Sequence, residues 1–208
     1  MRSSRSGEVY ISVDVEADGP VPGAYSLVSL GACVAAVRAP DGRVDIIDPD
    51  QHTFYRELKP ISEKWNDDAL AISGLTRAHL AESGAEPSVA ITEFVGWVDE
   101  ISVNFQAKPV FAAYPLGFDW QFAYYYMLVY AGRSPFGHSA HFDMKTAYAV
   151  HARVGVREAT KSNMPPTLLG SRSHTHNALD DAKGQADLLA GLFGLFNAPA
   201  SLKPHRSD

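Results

Sequence analysis

Residues 9–16 read Val-Tyr-Ile-Ser-Val-Asp-Val-Glu, and the alternation in this stretch organises the rest of the chain. Val9, Ile11, Val13 and Val15 fall on one face of an extended segment, with Tyr10, Ser12, Asp14 and Glu16 on the other. Asp14 and Glu16 are two residues apart, so both carboxylates leave the same face, with roughly 7 Å between their Cα atoms. Two acids on a face that packs against helices are costly unless a cation or solvent receives them. A solvent-facing edge strand is the plain alternative, although the first strand of such a sheet is usually central.

Working outward, a turn-rich stretch at 17–26, ADGPVPGAYS, leads into an apolar strand over about 27–37. Ala39-Pro40-Asp41-Gly42 is a turn signal that predicts a hairpin into 43–48, and 52–58 reads as a third strand or its continuation. Helical patterning covers 65–72 and 87–103. A short apolar strand at 109–113 precedes an aromatic-rich helix at 118–130. Further helices are expected at 144–152 and 177–196, separated by a polar loop over 154–175 that contains Pro165-Pro166. Strands first, then strands alternating with helices, predict an α/β fold with a mixed sheet flanked by helices. There is no internal repeat and no low-complexity tract. Residues 1–208 therefore read as one domain, with a core over about 8–196 and a loose tail over about 199–208.

Composition narrows the functional classes. Of the residues, 46% are hydrophobic and 20% charged, ordinary values for a globular protein. Twenty-four acidic and 18 basic residues give a formal net charge of −6, which argues against coating long nucleic acid by bulk electrostatics. An enzyme that grips a few phosphates near a chain end is compatible with that charge. The single cysteine, Cys33, lies in an apolar run and reads as a small core residue, so no disulfide framework exists and a reducing cytoplasm fits. MRSSRSGEVY at the N-terminus has positive charge without an apolar stretch behind it, unlike a signal peptide. The longest apolar run, 27–37, is too short to span a bilayer.

Chemistry concentrates in three places. In His174-Thr-His176-Asn-Ala-Leu-Asp180-Asp181, a helical wheel over 178–196 puts Ala178, Ala182, Ala186, Leu189 and Phe193 in one apolar arc. Asp181 falls inside that arc between Leu188 and Leu192, whereas Asp180 shares the opposite face with Lys183 and Asp187. Asp181 is thus the inward carboxylate and Asp180 a surface one. His176 lies just ahead of the first turn, within reach of the same spot, and His174 reads as a loop histidine without a chemical role. Asp119, in FAAYPLGFDWQF, stands where a helix begins after the strand at 109–113. Alone it has a structural explanation as a helix cap. Its significance comes from company: carboxylates gathered without lysine or arginine between them need roughly two divalent cations to balance them. Two hard cations about 4 Å apart are the arrangement used for phosphodiester cleavage, and a nearby histidine can take a proton from the attacking water.

The order Asp-x-Glu at 14–16, Asp119, then His-x-x-x-x-Asp at 176–181 resembles the DEDDh, or DnaQ-like, 3′→5′ exonucleases. Ala71-Ile72-Ser73-Gly74-Leu75-Thr76 is also similar to the family's Ile-His-Gly-Ile-Thr segment, with Ser73 in place of the histidine, so the similarity runs from about 8 to 195. The resemblance implies a ribonuclease H-like fold, a mixed five-stranded sheet of order 3-2-1-4-5. It implies Asp14, Glu16, Asp119 and Asp181 as ligands of two Mg²⁺ or Mn²⁺ ions, and His176 as general base. It further implies a single-stranded RNA or DNA 3′ end as substrate and 5′-mononucleotides as products; because several members are dimers, it allows a homodimer. Two segments depart from the family: Ala17-Asp18-Gly19-Pro20 replaces Thr-Thr-Gly-Leu, and Tyr114-Pro115-Leu116-Gly117 replaces the His-Asn region. Asp18 reads as a turn residue rather than a fifth acid.

Substrate contacts are less defined. Phe118, Trp120 or Tyr25 can stack on a terminal base, while Trp120 and Tyr124–Tyr126 equally suit packing of helix on sheet. Arg157, Lys161 and Arg172 can hold phosphates or simply be solvated. A catalytically inactive nucleic-acid-binding module on the same fold is the main alternative; it is disfavoured because loss of activity normally removes at least one of the five residues. No Gly-x-Gly-x-x-Gly follows the first strand, which counts against a nucleotide-binding oxidoreductase.

Overall fold

The computed structural model describes residues 6–197; the tail expected beyond Pro199 lies outside them. The alternating segment forms β1 (Gly7–Ala17), the middle strand of the sheet. It runs antiparallel to β2 (Leu27–Arg38) on one side and parallel to β5 (Ala107–Ala113) on the other. β6 (His141–Asp143) continues the parallel side beyond β5. Beyond β2 lie β3 (Val44–Ile46) and β4 (Thr53–Glu57), both antiparallel to it. The order β3-β2-β1-β5-β6 follows the expected one, with six strands among the described residues rather than five because two short strands share the place beside β2. Asp48-Pro49-Asp50 separates the 43–48 segment from 52–58, so the latter is a strand of its own and not a continuation: proline cannot donate to a ladder, and Gln51 N–H turns back to the Asp48 carbonyl at 3.1 Å. The turn at 39–42 closes as the sequence predicts, with Gly42 N–H on Ala39 O at 2.9 Å.

The two faces of β1 bury two cores. Val9, Ile11, Val13 and Val15 pack with α3 (Pro87–Asn104) and α4 (Leu116–Tyr130) around Phe94, Phe111, Phe122 and Tyr126. Tyr10 on the opposite face joins Cys33, Ala35, Val110 and Ala112 against α7 (Ala178–Asn197) through Leu188, Leu189, Leu192 and Phe193. α5 (Met144–Ala152) adds Met144 and Tyr148 to this side. Cys33 is fully buried, as expected of a small core residue.

Four short elements escaped the periodicity reading. Between α1 (Asp67–Ser73) and α3 lies α2 (Arg77–Ser83), with Leu80 as its one buried residue and Thr76 Oγ1 accepting from His79 N–H. A seven-residue helix with one inward side chain has no detectable period. β6 is three residues long and extended by pairing with β5. In the polar 154–175 loop a 3₁₀ turn (Lys161–Asn163) and the four-residue α6 (Pro166–Leu169) bury only Met164, Leu168 and Ala159 beneath them.

Gly31 decides how close α7 comes to the sheet. A Cβ at Gly31 would sit 2.2 Å from the Ala178 carbonyl carbon and from the Leu179 nitrogen, atoms of backbone that cannot swing aside. Gly31→Ala should therefore cost at least the ~1–3 kcal/mol typical of overpacking and push the start of α7 outward. Thermal unfolding checks it: a variant that melts with wild type means the contact is not needed.

Candidate active site

Asp14 and Glu16 occupy the end of β1 that outruns its parallel partner. Pairing with β5 stops at Ser12–Ala112, while pairing with β2 continues through Asp14–Gly31 and Glu16–Ser29. This is the crevice beyond the carboxyl ends of parallel strands, where α/β sheets bind ligands. The Val15 N–H there has no strand to bond; Asp119 Oδ1 accepts it at 3.0 Å. That contact corrects the cap reading of Asp119. The helix begins earlier, at Leu116 after Pro115, and Asp119 is a buried first-turn residue whose side chain reaches β1.

Along α7 the expected apolar arc is buried. Ala178, Ala182, Ala186, Leu189 and Phe193 are buried, Asp181 is 3% exposed, and Asp180 faces solvent. Asn177 Oδ1 accepts from Leu179 and Asp180 N–H and starts the helix. Lys183 and Asp187 are not free surface charges: Lys183 pairs with Asp50 at 2.7 Å, and Arg172 bridges Asp50 and Asp187. Arg172 is thereby occupied, and Arg157 is exposed. Lys161 sits half-buried with Nζ 5.4 Å from the Tyr114 ring centroid, beside a hollow of about 290 Å³ that also touches Ser162, Ser173, His174 and Asp181.

One carboxylate oxygen from each of Asp14, Glu16 and Asp181 lies within 4.8 Å of the others. Asp119 stands outside that triplet but acts on it by charge. Burial drives Asp14 well above the usual carboxylate range, followed by the charges of Asp119, Glu16 and Asp181. Burial, then Asp181, pushes Glu16 up to about 7. Burial pushes Asp119 up to about 8, against the hydrogen bond from Val15. Asp181 Oδ1 accepts from Thr175 N–H at 3.1 Å and lies 2.8 Å from His174 Nδ1. Its Oδ2 is buried without a partner. A desolvated acceptor beside two further carboxylates is a donor set suited to a hard divalent cation.

The two histidines differ from the sequence expectation in one respect. His176 is half-buried, with φ 57°, and its ring lies 4.2 Å from that of His174. Both reach Asp181: a ring nitrogen of each and an Asp181 oxygen fall within 4.8 Å of one another. His174, read as a bystander, is in contact with a site carboxylate. Asp18 is not part of the cluster. It is buried in the bend after β1, bonded to Ser26 N–H and Arg77 at 2.8 Å, and so anchors the start of α2.

Of the candidate base-stacking residues, Trp120 packs flat on Tyr124 at 4.8 Å and edge-on to Phe111, a helix-to-sheet contact. Tyr126 is fully buried, its hydroxyl accepting from Leu27 N–H. Phe118 is 38% exposed in the first turn of α4, and Tyr25 lies half-buried over Gly19, in the segment that follows Glu16. Sequence reasoning passed over Gln185, which is 1% exposed and donates to Asp14 Oδ1 at 2.6 Å. Its position on the buried arc, four residues after Asp181, was the available signal.

No protein-family model matches the chain. It is 35% identical over 181 residues to the 3′-5′ DNA exonuclease Cap18 of Escherichia coli, covering 87% of this chain and 89% of that protein. The nuclease domain of 3′hExo, a DEDDh family member solved with rAMP, shares the fold at a TM-score of 0.65 and 12% identity, over 93% of this chain and 94% of that one. A zinc-bound complex of E. coli exonuclease I with single-stranded DNA gives a TM-score of 0.57 and 17% identity, over 93% of this chain and 41% of that one. Among the described residues no helix is long and apolar enough to cross a membrane. The identity and extent of the match to Cap18 mean that the chain belongs to the DEDDh family of 3′→5′ exonucleases.

Proposed function

We propose that this exonuclease shortens single-stranded DNA, releasing 5′-mononucleotides, with Asp14, Glu16, Asp119 and Asp181 holding two Mg²⁺ or Mn²⁺ ions. The observation that carries this reading is the buried, partnerless Oδ2 of Asp181 beside the Asp14–Glu16 pair. DNA is favoured over RNA by the name of the Cap18 relative, and a single strand by the exonuclease I complex. Two such ions, when bound, supply a water nucleophile at neutral pH and stabilise the departing 3′ oxygen. Asp14, Glu16 and Asp181 fix the place of the scissile phosphate by the oxygens they present together. Asp119 stays tied to Val15 by one oxygen and keeps the other for the site. His176 removes the proton from the attacking water. Phe118 and Tyr25, on the two segments that bracket Asp119 and Glu16, stack on the terminal base.

A 5′-labelled DNA oligomer with Mn²⁺ should give a ladder of decreasing length, a matched RNA should be cut more slowly, and chelator should stop both. Internal fragments at early times, or equal speed on circular DNA, contradict the reading; no cleavage with Mn²⁺ favours an inactive binding module. In the same assay Asp180→Asn should run as wild type and Asp181→Asn should leave the substrate intact. The first carboxylate faces solvent and the second is in the cluster.

A further inference from the structure

We propose that Gln185 is a positioning residue for the cation-binding carboxylates, holding Asp14 by one oxygen and tying it to the segment that carries Asp119. The inference rests on the two-cation reading of the site. Gln185 follows Asp181 by four residues on α7, about one helical turn, so both project from the same face toward β1. At 1% exposure, its amide must find partners within the protein. Nε2 donates to Asp14 Oδ1 at 2.6 Å, and Oε1 accepts from Tyr114 N–H at 2.9 Å.

The second bond fixes the first. A backbone N–H only donates, so Oε1 faces Tyr114 and Nε2 is turned to Asp14. Asp14 then has Oδ1 engaged and Oδ2 left for a cation. Tyr114 is the residue after β5, and from it the chain passes through Pro115 into α4 and Asp119. One side chain thus joins β1 and α7, which carry Asp14, Glu16 and Asp181, to the turn that leads into Asp119 on α4. A neutral donor suits the position. A lysine there would place a fixed positive charge in competition with the ions, and an aliphatic side chain would leave Tyr114 N–H without a partner. In this chain Tyr114-Pro115 stands where the family has its His-Asn region, and Gln185 secures the backbone of that altered turn.

Outer-shell partners of this kind are worth ~10–100-fold in metal affinity. Calorimetric titration of Mn²⁺ into wild type and Gln185→Met, which keeps the length and loses both polar atoms, should show affinity lowered ~10–100-fold. The Mn²⁺ needed for half-maximal activity should rise in proportion, with rate recovered when Mn²⁺ saturates. A purely structural role would lower the melting temperature in chelator yet leave Mn²⁺ affinity unchanged, and that result overturns the proposal. Should Gln185→Met fail to fold, the side-chain amide resonances of Gln185 in ¹⁵N-labelled wild type decide. They should shift in step with Mg²⁺ saturation, and resonances indifferent to Mg²⁺ overturn the proposal. Wild type that binds no Mn²⁺ would sink the two-cation reading itself. That is distinct from wild-type binding which Gln185→Met leaves intact.

Discussion

Saturating Mn²⁺ should raise the melting temperature of the wild-type protein, and Asp14→Asn should abolish activity and most of that rise. Asp14, Glu16 and Asp181 crowd three carboxylate oxygens within 4.8 Å, with the charge of Asp119 added. Like charges at that separation repel in a half-desolvated site. A cation that binds only the folded state adds RT ln(1 + [L]/Kd), about 2.7 kcal/mol at a hundredfold excess over Kd. For a chain of this size that corresponds to roughly 5–10 °C. Replacing Asp14 removes one repelling charge, so the variant in chelator should melt no lower than wild type. Ca²⁺ should stabilise wild type without supporting turnover. Wild type that ignores metal, or Asp14→Asn that gains as much from it, would mean that these residues do not form one site.

The same crowding sets a pH dependence. The folded protein holds Glu16 up to about 7 and Asp119 up to about 8, whereas in the unfolded chain both titrate near pH 4. Between those limits the native state carries more protons than the unfolded one. These two groups therefore contribute most to the stability of the metal-free protein at the acid end, and that contribution is lost as pH rises from about 4 to about 8. Saturating cation, which needs the ionised carboxylates, should flatten or reverse that slope. Chemical denaturation across this range, with chelator and with Mg²⁺, measures both lines; parallel lines would count against the site.

His176→Ala should slow hydrolysis by ~10²–10⁴-fold, the worth of a positioned general base, and leave Mn²⁺ affinity close to wild type. His176 directly precedes Asn177, which starts α7, and its left-handed backbone is held by the turn around it. His174 has a more exposed ring, already engaged with Asp181 Oδ1. Its removal leaves the Thr175 N–H on that oxygen, so His174→Ala should lose less than ~10-fold, well below the range for a base. Single-turnover rates with Mn²⁺ titrations separate the two. If the phenotypes are exchanged, the base is His174.

How much of this was legible in the sequence depends on the range of the interaction concerned. Alternation over 9–16 and the 3.6-residue period over 178–196 are local, and each places its acids on one face before any fold is known. That sufficed for β1 as the central strand, for Asp181 as the inward member of the 180–181 pair, and for the α/β class. Order along the chain then aligned Asp14, Glu16, Asp119 and Asp181 with a family. Tertiary structure alone decided whatever depends on a partner distant in sequence. Asp119 reaches across 104 residues to Val15 because β5 ends before β1 does. The segments 43–48 and 52–58, left open as two strands or one continued strand, are two strands beside β2, β6 exists only by pairing with β5, and α2 is pinned to the buried Asp18 by Arg77. His174 turned out to touch Asp181, and Gln185 to hold Asp14, because α7 approaches the sheet at Gly31 closely enough to exclude a Cβ. Periodicity records which way a side chain points; what it meets there is set by packing, which has no signature in a single strand or helix.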